Sequence, residues 1–455
     1  MLWLALLLTP ASAEDYTVND TVDRVNQGAN GDCLTAAKTC SLRAAVQAAH
    51  DAGSGPHTIE VPAGYYSLSL VGGGGPEEGD LDLSGIALTI TGEGADETII
   101  SAMGLEDRHL HVESSASLVL EGVTLIYGSG GAILNSGTLT VQDSELVLNE
   151  GFGGAIASYG SASLLRSRFS LNEGGAYGGA VYSQGGLVVS ECDFEGNVAA
   201  QGGAIYSIDE SLFIEHSTFI DNEARLGGGV YASMDTTFEI VGVTFAGNAA
   251  LDGDSHGGGL DVAGARGTVD QSSFVFNIAR LGGGIHIHDD DTVTVRDTTV
   301  GHNTALEGGG GIYLVEADSP VSLTHVTIAR NEGGGLVTPT VAGERPASRL
   351  EVRNSLLVEN GGGDCRAVLA WMSSTNLEDP SGCAIASQTD VDTGVSGIDT
   401  FAPELYWGWP HFRLDPKGPA MGVGEPADCT SIDQLLMLRD PKGCDRGAIE
   451  YVPTY

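Results

Sequence analysis

Asp252, Asp254 and His256 fall within one short stretch, and His286, His288, Asp289, Asp290 and Asp291 follow about one repeat later. Paired carboxylates can act as acid and base on a glycosidic bond. They can also gather the oxygen ligands that calcium takes. Asp252, Asp254, Asp289, Asp290 and Asp291 are therefore candidate calcium ligands, although Asp-rich stretches are commonly solvated turns. Asp80 and Asp82, in GDLDL, form a further candidate cation site. A second set is periodic. Tyr182, Tyr206, Tyr231, Asp261, His286 and Tyr313 each follow the aliphatic residue of a GGAI-like motif. Stacked in register, they would form a line of aromatic, carboxylate and imidazole groups. Exposed aromatic faces pack against the C–H faces of sugars, and phenol hydroxyls add hydrogen bonds. The same column could instead be tyrosines stabilising one another on a pleated surface. No catalytic set assembles from the sequence. Lysine occurs only at Lys38, Lys417 and Lys442, and Arg225, Arg280, Arg296 and Arg330 occupy different positions of the repeat.

The element that must position these groups is itself a repeat. Asn149, Asn172, Asn197, Asn222, Asn248, Asn277, Asn303, Asn331 and Asn360 recur at gaps of 23 to 29 residues. Three places before them stand Leu146, Phe169, Phe194, Phe219, Phe245, Phe274, Val300, Ile328 and Leu357. Five places before stand mostly small residues, including Ser167, Cys192 and Ser217, which makes Cys192 a buried thiol rather than a nucleophile. Apolar positions alternate with period two, as in strands, and no repeat contains room for an amphipathic helix. Such a period signals a solenoid, propeller or array. A propeller blade needs about 40 residues or more, and leucine-rich repeats need a regular Leu/Asn frame, so neither fits. The expected fold is an all-β, right-handed, single-stranded parallel β-helix of roughly 10–13 coils, spaced about 4.8 Å apart. The asparagines read as an amide ladder at a turn, since Asn tolerates left-handed backbone. The glycine pairs read as positive-φ corners.

The 455 residues carry 61 acidic against 20 basic side chains, a net charge of −41. That excludes a nucleic-acid binder working through basic patches. Residues 1–13 read as a secretory signal, with an apolar LWLALLL and a small-x-small Ala11-Ser12-Ala13. No later stretch is long and apolar enough for a membrane-spanning helix. Six of the seven cysteines fall into near-neighbour pairs, Cys33/Cys40, Cys365/Cys383 and Cys429/Cys444, which fit three local disulfides formed after export. No CxxC spacing occurs, which argues against zinc. Residues 14–55 are expected to form an N-terminal cap, with an amphipathic helix over 41–52 whose Leu42, Ala45, Val46 and Ala49 share a face. Residues 56–363 carry the coils. Residues 364–455, where the period is lost, are expected to form a disulfide-stapled C-terminal cap.

CSLRAAVQAA (40–49) resembles the CSLREA motif of secreted bacterial β-helix proteins, with Ala44 where the family has glutamate. GDLDLSGIALTITGEG (79–94) and Asp107-Arg108 resemble the segments that follow it. The GGAIY…F..N repeats are similar to those of polymorphic outer-membrane proteins and pectin-lyase-like β-helices, and CDRGAIEY (444–451) resembles the close of a choice-of-anchor Q tail. The resemblance implies fold and secretion but no reaction. The RIK and NTD segments of polygalacturonase-like β-helices are missing. The leading expectation is a secreted or cell-surface, monomeric, non-catalytic module that binds glycans or extracellular matrix. The alternative is a calcium-assisted polysaccharide lyase or glycoside hydrolase.

Overall fold

Hydrophobic alternation and tight turns produce a parallel β-solenoid of about ten turns with very little helix. The computed structural model describes residues 13–72, 77–288, 292–315, 320–339, 350–366, 370–374, 376–378, 391–392, 398–402 and 410–451. The expected signal at 1–13 falls, apart from Ala13, outside the described residues, as do Asp289, Asp290, Asp291 and Cys383. The chain divides into two compact units, Met1–Gly151 with Ala155–Ser167, and Phe152–Gly154 with Arg168–Tyr455.

In the first unit, three parallel ladders take one strand from each coil. One contains Asp15–Thr17, His57–Val61, Ala87–Gly92, Ser117–Glu121, Thr138–Gln142 and Ser161–Leu165. A second runs from Gly64–Ser67 through Thr98–Ser101 and Thr124–Ile126 to Glu145–Val147. A third runs from Leu81–Leu83 through Leu110–Val112 and Ile133–Asn135 to Ile156–Ser158. The helix Leu42–Ala52 packs against the first of these strands. It starts at Ser41, whose Oγ accepts from the Ala44 N–H, and ends at Gly53. It buries Leu42, Ala45, Val46 and Ala49 as expected, and Arg43, Ala44 and Ala48 as well. Arg43 is fully buried because its guanidinium is matched. It donates to both oxygens of Asp23, at 2.7 and 3.1 Å, and to the Gly79 carbonyl at 2.7 Å. The arginine of the CSLR segment is thus a structural peg, and the Cys33–Cys40 disulfide closes the loop before it.

The second unit repeats the plan with stricter columns. Phe169, Phe194, Phe219, Phe245 and Phe274 stack inside, with ring centroids 4.5–4.9 Å apart and interplanar angles of 14° or less. That spacing is the strand separation itself. From Asn172 to Asn331, each amide Nδ2 donates to the Oδ1 of the asparagine one coil on, at 2.9 or 3.0 Å. Asn360 ends the series on Asp364. The asparagines themselves are not the left-handed residues. That conformation belongs to the residue before, as at Leu171, Asp221, Phe276, His302 and Arg330, because the buried amide must point inward while the chain turns ahead of it. Cys192 is buried, as expected. Its N–H donates to Ser217 Oγ, and its thiol to the Ser190 carbonyl.

The tail packs on the coils of the second unit. Residues 410–451 reach Ser273, Thr299, Thr327 and Asn354 by hydrogen bonds, and so cross successive coils of the second unit. Phe412, Leu414, Ala420 and Ile449 pack there on Ala329, Leu356 and Val358. The Cys429–Cys444 disulfide lies within this layer.

Candidate functional site

The site lies on one ladder of the second unit, formed by Val181–Ser183, Ile205–Ile208, Val230–Ser233, Leu260–Ala263, Ile285–His288, Ile312–Leu314 and Leu336–Val337. Its register places Tyr182, Tyr206, Tyr231, Asp261, His286, Tyr313 and Val337 in one line, as the repeat alignment expects. The expected exposure is not found. The six site candidates are all less than a tenth exposed, and Asp261 is fully buried. The rings of Tyr182 and Tyr206 stack at 5.7 Å, Tyr231 lies 5.3 Å from Tyr206, and Tyr177 covers Tyr206 at 5.0 Å. The faces are covered because a second column folds over the first.

That covering column runs through Tyr177, Gln201, Leu226, His256 and Leu281, joined by parallel bridges. Each stands five residues before its column partner, and a left-handed glycine follows it. Gly257 (φ +62°) shows why glycine is required, since an added Cβ would lie 2.6 Å from the Cβ of Asp261. Gly282 makes the same approach to His286 at 2.7 Å. These corners bring His256 back over Asp261, and His288 shares the face of His286 two residues along the strand.

Four groups therefore converge: His256, Asp261, His286 and His288, each offering a ligand atom, all within 4.8 Å of one another. Asp261 Oδ1 lies 2.7 Å from His286 Nδ1 and 3.5 Å from His288 Nε2. Asp261 Oδ2 has no hydrogen-bond partner, nor has His256 Nδ1, which stands 3.9 Å from it. The imidazoles of His256 and His286 stack at 4.5 Å. His256 and His288 keep 23% and 20% of their side chains exposed, so the cluster opens to solvent along one rim. Burial, with the neighbouring His286, pulls His256 down to about 4 and keeps it neutral at pH 7. Burial alone would favour a neutral Asp261, but His286 and His288 hold its carboxyl well below the ordinary range. A fully buried carboxylate is thus kept ionised by imidazoles, the kind of perturbation that clusters at functional sites.

The other described candidates sit apart. Asp252 and Asp254 are exposed, and Asp254 pairs with Arg280 at 3.0 Å. The sequence grouped the three histidines with these acids and put Asp261, together with His286, in the tyrosine line. The signal for this cluster was available, since His256 lies five residues before Asp261 just as Tyr177 lies before Tyr182. In the first unit, Asp82 and His111 are register partners, 3.1 Å apart, beside Asp80, which Arg108 binds at 3.1 Å. His325 lies near Cys429 and Cys444, but their sulfurs are joined to each other and offer no thiolate.

Parallel ladders, in-register inner stacks and a polar cluster on one outer ladder define a β-helix protein. The chain belongs to the family described as right handed beta helix region, whose pattern matches residues 105–250 and 211–379. No curated protein matches by sequence. Among solved structures, the chain is similar to the Azotobacter vinelandii mannuronan C-5 epimerase AlgE4 A-module, at 16% identity and TM-score 0.44, over 79% of this chain and 99% of that one. It is also similar to the PL6 family alginate lyase AlyGC (11%, TM-score 0.41, 82% of this chain and 54% of that one). The pectate lyase Pel9A is a third such structure (12%, TM-score 0.37, 96% of each chain). These likenesses concern the fold. No described helix is long and apolar enough to cross a membrane.

Proposed function

We propose that the chain processes a polysaccharide at the His256–Asp261–His286–His288 cluster, cleaving glycosidic links by elimination or hydrolysis. The observation that carries this reading is the buried, ionised Asp261 bonded to His286 at 2.7 Å. A carboxylate in that position fixes the orientation of an imidazole and stabilises the charge it gains on taking a proton. The half-open rim at His256 and His288 gives a substrate access. Beside the cluster, Tyr231 continues into Tyr206, Tyr182, Tyr177 and Phe152, and Phe152 is 42% exposed. Exposed Phe152 suits the apolar face of a sugar, whereas Tyr182, Tyr206 and Tyr231 are covered and back it from beneath. We place the protein outside the cell, a reading supported by the Cys33–Cys40 and Cys429–Cys444 disulfides.

The direct test incubates the protein with a panel of neutral and uronate polysaccharides, recording unsaturated and reducing ends. Wild type should release ends from at least one polymer, and Asp261→Asn should lower the rate by about 100-fold or more. A second reading, non-catalytic glycan binding, is favoured by the Phe152–Tyr177–Tyr182 aromatic cluster. It takes the lead if polymers bind, Phe152→Ala weakens them, and no ends appear. Silence in both assays removes both readings.

A further inference from the structure

We propose that His256, Asp261, His286 and His288 bind one divalent transition ion of the zinc or cobalt type, with calcium excluded by the donor set. The inference deepens the reading above, because it assigns an ion to the same reactive centre.

The first argument is geometric. Four side chains from two adjacent coils aim one ligand atom each at a common volume, and all four atoms lie within 4.8 Å. Ion–ligand bonds of about 2.0–2.2 Å need donors somewhat closer than that. Small side-chain rotations supply the difference, and two of the imidazoles are on a half-open rim. The backbone beneath is fixed, since Leu260–Ala263 and Ile285–His288 are paired residue for residue, with Asp261 opposite His286.

The second argument is charge. Asp261 is fully buried, and among the described residues only histidines form ion pairs with it. Burying a carboxylate is costly unless cationic partners complete its set. Its Oδ2 is an orphaned buried acceptor, and His256 Nδ1 beside it also has no hydrogen-bond partner. An ion held between them would satisfy both atoms and neutralise the carboxylate.

The third argument is donor chemistry. Three imidazoles and one carboxylate suit zinc, copper, nickel or iron, whereas calcium takes six to eight oxygens. Of the acids first considered for calcium, Asp252 and Asp254 do not join the cluster, since both are exposed and Asp254 is engaged by Arg280. The sequence argument against zinc concerned thiolates, and these donors are three nitrogens and a carboxylate oxygen. Near a uronate substrate, such an ion would polarise the sugar carboxyl as a Lewis acid.

The test uses the full chain, stripped with a chelator and titrated with Zn2+ by calorimetry and with Co2+ by visible absorption. One ion per chain is expected, with the intense d–d bands of low-coordinate Co2+. The double variant His256→Gln/His288→Gln alters only the two rim residues and should weaken binding at least tenfold. His111→Gln, at the Asp82 pair, should leave it unchanged, and millimolar Ca2+ should not compete. Absence of Zn2+ binding to wild type, or undiminished binding by the folded double variant, overturns the inference. The two readings fail separately. Polymer cleavage that survives chelation leaves the enzyme without the ion, and stoichiometric binding without cleavage leaves the ion site without the enzyme.

Discussion

Asn222 and Cys192 are both fully buried, yet replacing them should have very different effects. The Asn222 amide donates to the Phe194 carbonyl and to Asn248 Oδ1, while its own oxygen accepts from the Asn197 backbone N–H and side-chain amide. Asn222→Ala strips partners from both neighbouring coils at once. Each buried group left unsatisfied costs about 1–3 kcal/mol, so a loss of at least about 3 kcal/mol is expected in chemical denaturation. Cys192 occupies a slot that Ser167 and Ser217 fill elsewhere, and those hydroxyls donate to the carbonyl two residues back, as the thiol does. Cys192→Ser should change stability by less than about 1 kcal/mol. A large loss there would mean that the slot is tuned to sulfur.

The tail layer is where titration meets packing. Arg439 is fully buried and donates to Asp297 at 2.9 Å, to Glu450 at 3.3 Å and to the carbonyls of Gly447 and Ala448. One guanidinium does not offset the burial of every carboxyl around it. Burial pushes Asp297 up to about 7 against Arg439, and raises Asp433, Asp445 and Glu450 as well. In the folded state, then, Asp297 holds its proton between about pH 4 and pH 7, where the unfolded chain has lost it. The resulting stability is complete at the acid end and disappears as pH rises through about 7. Hydrogen exchange across 430–451 should therefore quicken by about tenfold or more between pH 5 and pH 8, after correction for the intrinsic rate. Asp297→Asn should flatten that slope, and slower corrected exchange at pH 8 would reverse the argument. The strand ladders were legible in the sequence because asparagine, phenylalanine and GGAI columns each report the same register. The burial of the tyrosines was not, because Tyr177 and Leu226 reach them only across a left-handed glycine corner. The docking of the tail was equally hidden, since pairs such as Arg439–Asp297 are separated by 142 residues and belong to no repeat.

At the scale of the molecule, two electrostatic effects oppose each other, and salt distinguishes them. Adjacent coils are bridged by exposed pairs such as Arg166–Asp143, Arg168–Glu195 and Arg330–Glu359, at 2.6–2.7 Å. Each contributes about 0–1 kcal/mol at most, and salt weakens it. Against them stands a net charge of −41, whose self-repulsion salt also weakens. The pairs engage few of the 61 acidic side chains, because only 20 basic ones exist. Most carboxylates therefore contribute repulsion that reaches about 30 Å at 10 mM salt and about 8 Å at 150 mM. Repulsion should win, and the melting temperature should rise as NaCl is raised from 10 to 150 mM. A fall would show that the inter-coil pairs dominate. The same field acts on ligands. A neutral glycan should bind with little salt dependence, whereas a polyuronate should bind more tightly as salt is added, or when a divalent ion sits between its carboxylates and the protein. A polyuronate bound more tightly at 10 mM than at 150 mM NaCl, without added ions, would require a cationic surface that this composition does not supply.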